Sequence, residues 1–158
     1  MNKIVTKEQL QEQLREIRRQ QKTVVFTNGC FDILHVGHVR YLREAKKLGD
    51  VLVLALNSDA SVRTIKGEKR PLVPEEERAD IMAALECIDY VVIFSEPTPQ
   101  GLIEYLQPDI LVKGGDWTED AIAGADFVRA AGGRVVTIPL TAGHSTTNIV
   151  EKIRQVYG

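Results

Sequence analysis

The residues best suited to chemistry in this 158-residue chain lie in three short stretches: His35-Val36-Gly37-His38, Lys113-Gly114-Gly115-Asp116-Trp117 and Gly143-His144-Ser145-Thr146-Thr147. The first sets two imidazoles around a glycine where a helix is expected to begin. Glycine carries no Cβ, so a ligand can approach the backbone closely there. A helix start adds free N–H groups and the positive end of the peptide dipole, which favour an anion. Both histidines can then face a phosphate. Two plainer readings compete: one core and one surface histidine, or an HxxH metal pair. In the third stretch, Ser145, Thr146 and Thr147 precede a final helix, and hydroxyls and N–H groups at a helix start suit phosphate oxygens. Helix capping explains those hydroxyls equally well, and His144 reads as a surface residue. The second stretch gathers a cation, a flexible backbone at Gly115, a carboxylate and an aromatic ring. Asp116 can accept hydrogen bonds from sugar hydroxyls while Lys113 or Trp117 lines a pocket; the alternative is a turn with a core tryptophan.

Other candidates are more diffuse. Lys66, Lys69 and Arg70 lie on a segment punctuated by Gly67, Pro71 and Pro74 and can close over phosphate, or form a solvated loop. Lys46 falls on the helix that His38 opens and is a second cation candidate; the alternative is a solvated Lys46-Lys47 pair. Asp32 is placed either to orient a histidine or to help hold a metal. No Gly-Lys dipeptide occurs, so a Walker A loop is absent, as is GxGxxG. Any nucleotide must be held by another device.

The elements that position these residues alternate. Residues 6–20 read as a helix, with Thr6 and Gln9 as a capping box and Leu10, Leu14 and Ile17 as an apolar stripe. Its basic end (Arg18, Arg19, Lys22) reads as a solvated face. Strands are expected at 23–27, 51–56, 90–94, 109–112 and 134–138. Helices are expected at 37–48, 58–64, from Pro74 with its acidic start, 98–106, 120–131 and 146–156. Five apolar runs alternating with helices predict an α/β fold: a Rossmann-like, doubly wound, five-stranded parallel sheet with helices on both faces. Ligands of such sheets lie at the carboxyl ends of the strands, and all three chemical stretches fall in carboxyl-end loops. One domain is expected over 1–158, with an N-terminal helix in 1–21 and an α/β core in 22–158.

Five blocks in order resemble the HIGH-type nucleotidylyltransferase superfamily, and most closely the bacterial heptose 1-phosphate adenylyltransferase module. They are Phe26-Thr-Asn-Gly-Cys-Phe-Asp-Ile-Leu-His-Val-Gly-His38, Asn57-Ser-Asp59, Lys66-Gly-Glu-Lys-Arg-Pro71, Leu111-Val-Lys-Gly-Gly-Asp116 and Gly143-His-Ser-Thr-Thr147. The resemblance covers residues 22–153. It implies transfer of AMP from ATP to D-glycero-D-manno-heptose 1-phosphate, giving ADP-heptose and pyrophosphate, for lipopolysaccharide core or a related surface glycan. It further implies that His35, His38 and Lys46 stabilise the reacting phosphates. The nucleotide would be held by Asn28, Gly29, Cys30, Phe31, Gly37, Arg78, Lys113, Gly143, Ser145, Thr146 and Thr147. The sugar phosphate would meet Asp32, Asn57, Lys66, Arg70, Gly115, Asp116 and Trp117. In this reading Cys30 is a small residue where backbone meets the base, and Arg78 approaches the nucleotide; the alternative for Arg78 is a local ion pair with neighbouring glutamates. Magnesium is expected to accompany ATP, held mostly by phosphate rather than by protein ligands. In many bacteria the module is fused behind a sugar kinase. Here the stand-alone form is expected, supplied by a separate heptose kinase, with a homo-oligomer as the family precedent.

One departure discriminates within the superfamily. Related alditol-phosphate cytidylyltransferases usually carry an arginine three residues before the glycine of the last block; Leu140 stands there. Its absence weakens CTP use and leaves ATP ahead. The alternatives are a cytidylyltransferase acting on glycerol 3-phosphate or another alditol phosphate, and a non-catalytic nucleotide-binding module; a zinc hydrolase built on the HxxH pair lacks a third ligand at a sensible spacing. A formal charge of −2 provides no overall basic field, so no nucleic-acid partner is expected. Cys30 and Cys87 form no CxxC pattern, and neither a leader nor a membrane-length apolar run occurs. The expected setting is a reducing cytoplasm with no membrane contact.

Overall fold

The computed structural model describes residues 2–115 and 117–158. In chain order the elements are α1 (Lys7–Arg19), β1 (Val24–Gly29), α2 (Val36–Lys46), β2 (Val51–Asn57), α3 (Asp59–Lys66) and α4 (Glu75–Ala83). Then follow β3 (Tyr90–Phe94), α5 (Gln100–Leu106), β4 (Ile110–Gly114), a 3₁₀ turn (Glu119–Ala121), α6 (Ala125–Ala130), β5 (Arg134–Ile138) and α7 (Thr146–Tyr157). The five strands form one parallel sheet in the order β3-β2-β1-β4-β5. The expected Rossmann-like sheet is therefore present, and its order reverses between β1 and β4.

Burial explains why these segments are strands. All seven residues of β2 are buried, as a strand covered on both faces requires. On one face Leu10 and Leu14 of α1 pack with Leu102, Ile103 and Leu106 of α5 and Val128 of α6. On the other, Tyr41, Leu42 and Ala45 of α2 pack with Ala79 and Met82 of α4. The capping box of α1 is formed by Thr6 and Gln9 as the sequence indicates. Arg18 departs from the solvated face expected of it: its guanidinium donates to the Leu106 and Gln107 carbonyls and so caps α5. Ahead of α1, the Lys3–Val5 segment hydrogen-bonds to Val91 on the outer edge of β3. None of the described helices is long and apolar enough to cross a membrane.

One element differs from expectation. The helix read over 120–131 is a 3₁₀ turn followed by α6, which begins only at Ala125. Gly124 has a left-handed φ of +85°, and a Cβ there would meet Ile103 Cδ1 at 2.6 Å. The glycine breaks the helix so that the chain can turn tightly over α5.

Arg78 ties together the loops that follow β1 and β2. Although it is only 1% exposed, its guanidinium donates to the Val73, Cys30 and Asn57 carbonyls and to the Asp59 carboxylate. Arg78→Met would strand these acceptors. Because breaking a buried, paired charge costs about 3–5 kcal/mol, urea denaturation is expected to show a loss of about that size.

Candidate active site

A cavity of about 790 Å³ opens where β1, β2 and β4 end. The residues that fill its wall come from five loops, and their placement follows from the reversal of strand order beside β1. On the α2 side His35 occupies the N-cap position in extended backbone and makes no side-chain cap bond, while its carbonyl accepts from His38 N at 3.0 Å. The His35 and His38 rings stack with centroids 3.7 Å apart, and Phe31 meets His38 edge-on at 5.0 Å. The Nδ1 atoms of both histidines are buried with no hydrogen-bond partner. Gly37 is required here: a Cβ would lie 2.9 Å from the His35 ring and 3.3 Å from His144 Cβ. That last distance decides the geometry. The start of α2 and the loop before α7 face each other, and Ser145, Thr146 and Thr147 line the same cavity as the two histidines.

Capping and ligand binding are both served at α7. Ser145 Oγ accepts from Asn148 N at 3.0 Å, so Ser145 caps the helix as well as lining the wall. Gly143 lies in this loop, its carbonyl accepting from the Asn148 amide.

Electrostatics differ between the two sides. Burial pushes the His38 imidazole down to about 4, with His35 adding to the effect. Burial likewise lowers His35, helped by His144. The stacked pair is therefore neutral near pH 7, and a polyanion arriving beside it favours the charged form. Beyond β2, Lys66 and Arg70 present cations to the cavity. Arg70 is held there by an ion pair with Asp32, whose carboxylate also accepts from Leu72 N and Val73 N at 2.8 and 2.9 Å. Burial alone would raise the Asp32 carboxyl, but the Val73 and Leu72 amides and Arg70 outweigh it and hold it below its ordinary value. Asp32 thus anchors the cationic loop and bonds to neither histidine. Lys113 is lowered by burial and by Lys66, against the effect of Cys30, and its ammonium sits 5.6 Å from the Trp117 ring centre. Burial raises the Cys30 thiol despite the cations around it, so Cys30 is a small wall residue rather than a thiolate.

The cavity brings together Asn28, Gly29, Cys30, Phe31, Asp32, Asn57, Lys66, Arg70, Lys113 and Trp117 with the two helix starts. Gly115 adjoins Trp117 at a φ of +94°, and Trp117 is 52% exposed rather than a core residue. Asp116 lies outside the described residues. Four expected site residues among those described do not line the wall: Gly115 and Gly143 lie in the loops beside it, and Lys46 and Arg78 are turned to other partners. Lys46 sits at the far end of α2, where it pairs with Asp89 at 2.6 Å and donates to the Asp50 carbonyl. Those partners precede β2 and β3, at the amino ends of strands whose carboxyl ends carry the cavity. Arg78 is sealed beneath it, and its ion pair is with Asp59, not with the glutamates beside it. Sequence reasoning missed Tyr41, Ile65, Leu140 and His144 as wall residues. Tyr41 falls inside a helix expected from the sequence and Ile65 just past the end of another, and neither carries a chemical cue. His144 had a cue in its place between Gly143 and Ser145.

No group of three or more histidine, cysteine or carboxylate side chains suited to a metal occurs among the described residues. The one carboxylate on the described wall, Asp32, is committed to Arg70 and two amides. The described donors suit the oxygens of a phosphate chain.

Residues 26–152 match the family described as cytidylyltransferase-like. The chain belongs to that family. It is 60% identical over 156 residues to the bifunctional protein HldE of Syntrophotalea carbinolica, covering 99% of this chain and 32% of the relative. It is 62% identical over 141 residues to HldE of Geobacter sulfurreducens, covering 89% and 29%. The chain thus spans about a third of the length of these relatives. Among solved structures it is similar to the lipopolysaccharide core biosynthesis protein of Thermoplasma volcanium, with a TM-score of 0.61 and 29% identity over 76% of this chain and 97% of that one. The pantoate-beta-alanine ligase of Francisella tularensis shares the fold alone, with a TM-score of 0.63 and 14% identity over 96% and 77% of the two chains.

The depressed His38 value has a measurable consequence. The unfolded chain binds a proton near pH 6.5 while the folded site does not until about pH 4, so folding stability falls as pH drops through that window. The thermal midpoint of the wild type is expected to decline more steeply between pH 6.5 and 4 than that of His38→Gln. Equal slopes in the two proteins would show that His38 titrates normally.

Proposed function

We propose that this chain is a sugar-phosphate adenylyltransferase that transfers AMP from ATP to D-glycero-D-manno-heptose 1-phosphate, giving ADP-heptose and pyrophosphate. The observation that carries this reading is the close approach of Gly37 to His144, which sets two helix starts and a histidine pair around one cavity. The relatives named HldE support the heptose substrate, and the bifunctional form of those proteins fits a sugar kinase acting one step earlier. An ATP-consuming step of this kind belongs in the cytoplasm.

The chemistry needs no protein base. Near neutral pH the sugar 1-phosphate is largely dianionic, because its second pKa is about 6. One of its oxygens attacks the α-phosphorus of magnesium ATP; a new P–O bond forms as the bond to the β-phosphate oxygen breaks, and pyrophosphate leaves with the bonding pair. The protein's task is to hold two polyanions in line and to stabilise the charge that shifts onto the leaving group. His35 and His38 donate to the triphosphate from the α2 side. Thr146, Thr147 and the start of α7 do so from the other. Lys66 and Arg70 receive the acceptor's phosphate, and Asp32 keeps that arm in place. Lys113 bridges the two regions. Asn28, Gly29, Phe31 and Gly143 shape the backbone against the nucleotide, and Asn57 borders the sugar side. Lys46 and Arg78 act through the fold rather than on substrate.

Pyrophosphate release with ATP and CTP, each offered heptose 1-phosphate and glycerol 3-phosphate, tests the assignment, with the nucleotide-sugar read by mass. ATP with the heptose phosphate is the expected productive pair. Turnover only with CTP and glycerol 3-phosphate would make the chain an alditol-phosphate cytidylyltransferase. His38→Ala is expected to lower kcat by about 10²–10³, the usual cost of losing a transition-state donor. An effect on KM alone would fit a binding module instead. Lys46→Met is expected to keep turnover within about threefold, because the variant alters only an ion pair at the opposite strand ends; a loss like that of His38→Ala would restore Lys46 to the site.

A further inference from the structure

The ladder between β1 and β4 is short. β1 pairs with β2 all the way from Val24 to Gly29, but with β4 only at Val25 and Phe26, opposite Ile110 and Leu111. Pairing thus ends at Thr27 and Val112, and the wall of the cavity begins one residue later in each strand, at Asn28 and Lys113. The hydroxyl of Tyr41 occupies this fork. It donates to the Val112 carbonyl at 3.3 Å and lies 2.5 Å from Thr27 Oγ1, which can donate to it in turn. The ring passes Gly114 on the way, where a Cβ would lie 3.2 Å from Tyr41 Cε2. A side chain therefore bridges the two strands at the point where backbone pairing has stopped.

Thr27 and Tyr41 are both buried. Burial pushes the phenol up to about 12 against the opposing effect of Thr27, so the hydroxyl keeps its proton near neutral pH and acts as a fixed donor. Buried tyrosines find hydroxyl partners in most folds; the place of this one on α2 gives it more to do. Tyr41 follows Gly37 by four residues and His38 by three, so it stands one turn along the helix from the histidine pair. Among the described residues, side chains of α2 hydrogen-bond to other elements at two places, Tyr41 here and Lys46 at the far end. The end that carries the histidines is tied to the sheet by Tyr41.

We propose that Tyr41 is a positioning residue for the reaction: its hydroxyl, anchored in the fork between β1 and β4 by Thr27 and Val112, holds the start of α2 so that His38 stays within reach of the reacting phosphates. The proposal rests on the nucleotide-transfer reading. Removing the hydroxyl leaves the aromatic packing in place but frees the helix start to shift. A displacement of about 1 Å at a reacting centre costs up to about a hundredfold in rate.

Tyr41→Phe loses one hydroxyl and keeps the ring, so its thermal midpoint is expected to fall by only about 2–4 °C. Well below that midpoint, kcat is expected to drop at least about tenfold while KM for ATP stays within about threefold. Thr27→Val is expected to show a similar drop, and Thr27→Ser, which keeps a hydroxyl, to recover most of it. In a His38→Ala background, Tyr41→Phe is expected to cost less than about twofold more, because the group it positions is gone. An unchanged kcat, or a loss that multiplies in full with that of His38→Ala, would reduce Tyr41 to a packing residue. The chain has three histidines, so their imidazole NMR signals give a readout without turnover. Those of His35 and His38 are expected to shift in Tyr41→Phe, and unshifted signals would overturn the proposal. If no pair of substrates yields a nucleotide-sugar, the reaction assignment fails on its own, and the NMR shifts still decide whether the hydroxyl sets the histidine geometry.

Discussion

The start of α2 meets the loop before α7 at Gly37, where a Cβ would crowd His144 at 3.3 Å, and the pocket lies around that contact. With the two helix starts apart, each would be an ordinary capped terminus facing water. Held together, the two helix starts border one cavity, whose wall includes the stacked imidazoles. The sheet makes the encounter possible by reversing its order beside β1, so that the connections leaving β1 and β4 run to opposite faces and leave a crevice between them. The Tyr41 hydroxyl, 2.5 Å from Thr27 Oγ1 and 3.3 Å from the Val112 carbonyl, fastens α2 across that divide.

The cations of the region divide by what they touch. Arg78 spends its donors on three carbonyls and a carboxylate and so ties loops together. Lys46 does similar work at the opposite ends of the strands. Arg70 is oriented by Asp32 and still faces the cavity, while Lys113 stands half-desolvated beside Trp117. Charge identity alone does not distinguish these roles. What distinguishes them is whether a buried acceptor has already claimed the donors.

Much of this was legible from residue order, because it follows from periodicity. The five apolar runs, the Thr6–Gln9 capping box and the glycine-flanked histidines all depend on local pattern, and local pattern survives folding. The split of the helix near Gly124 was not legible, since its cause is contact with Ile103, remote in sequence. Lys46 looked like a second cation of the site because it falls on the helix that His38 opens. The length of α2, at 1.5 Å per residue, carries it away from the pocket instead. Arg78 was expected at the nucleotide, with a local ion pair among glutamates as the alternative, and the long-range carbonyls that bury it appear in no local window. Leu140 stood out only as a departure from a resembling pattern. Its exposure inside the cavity turns that departure into a physical feature.

The Lys3–Val5 segment lies beside β3 and runs in the same direction. A polypeptide joined ahead of it would therefore approach from the amino ends of the strands, behind the sheet as seen from the cavity. The amino-terminal segment and the cavity thus lie at opposite ends of the strands, so a change at one leaves the other's lining untouched.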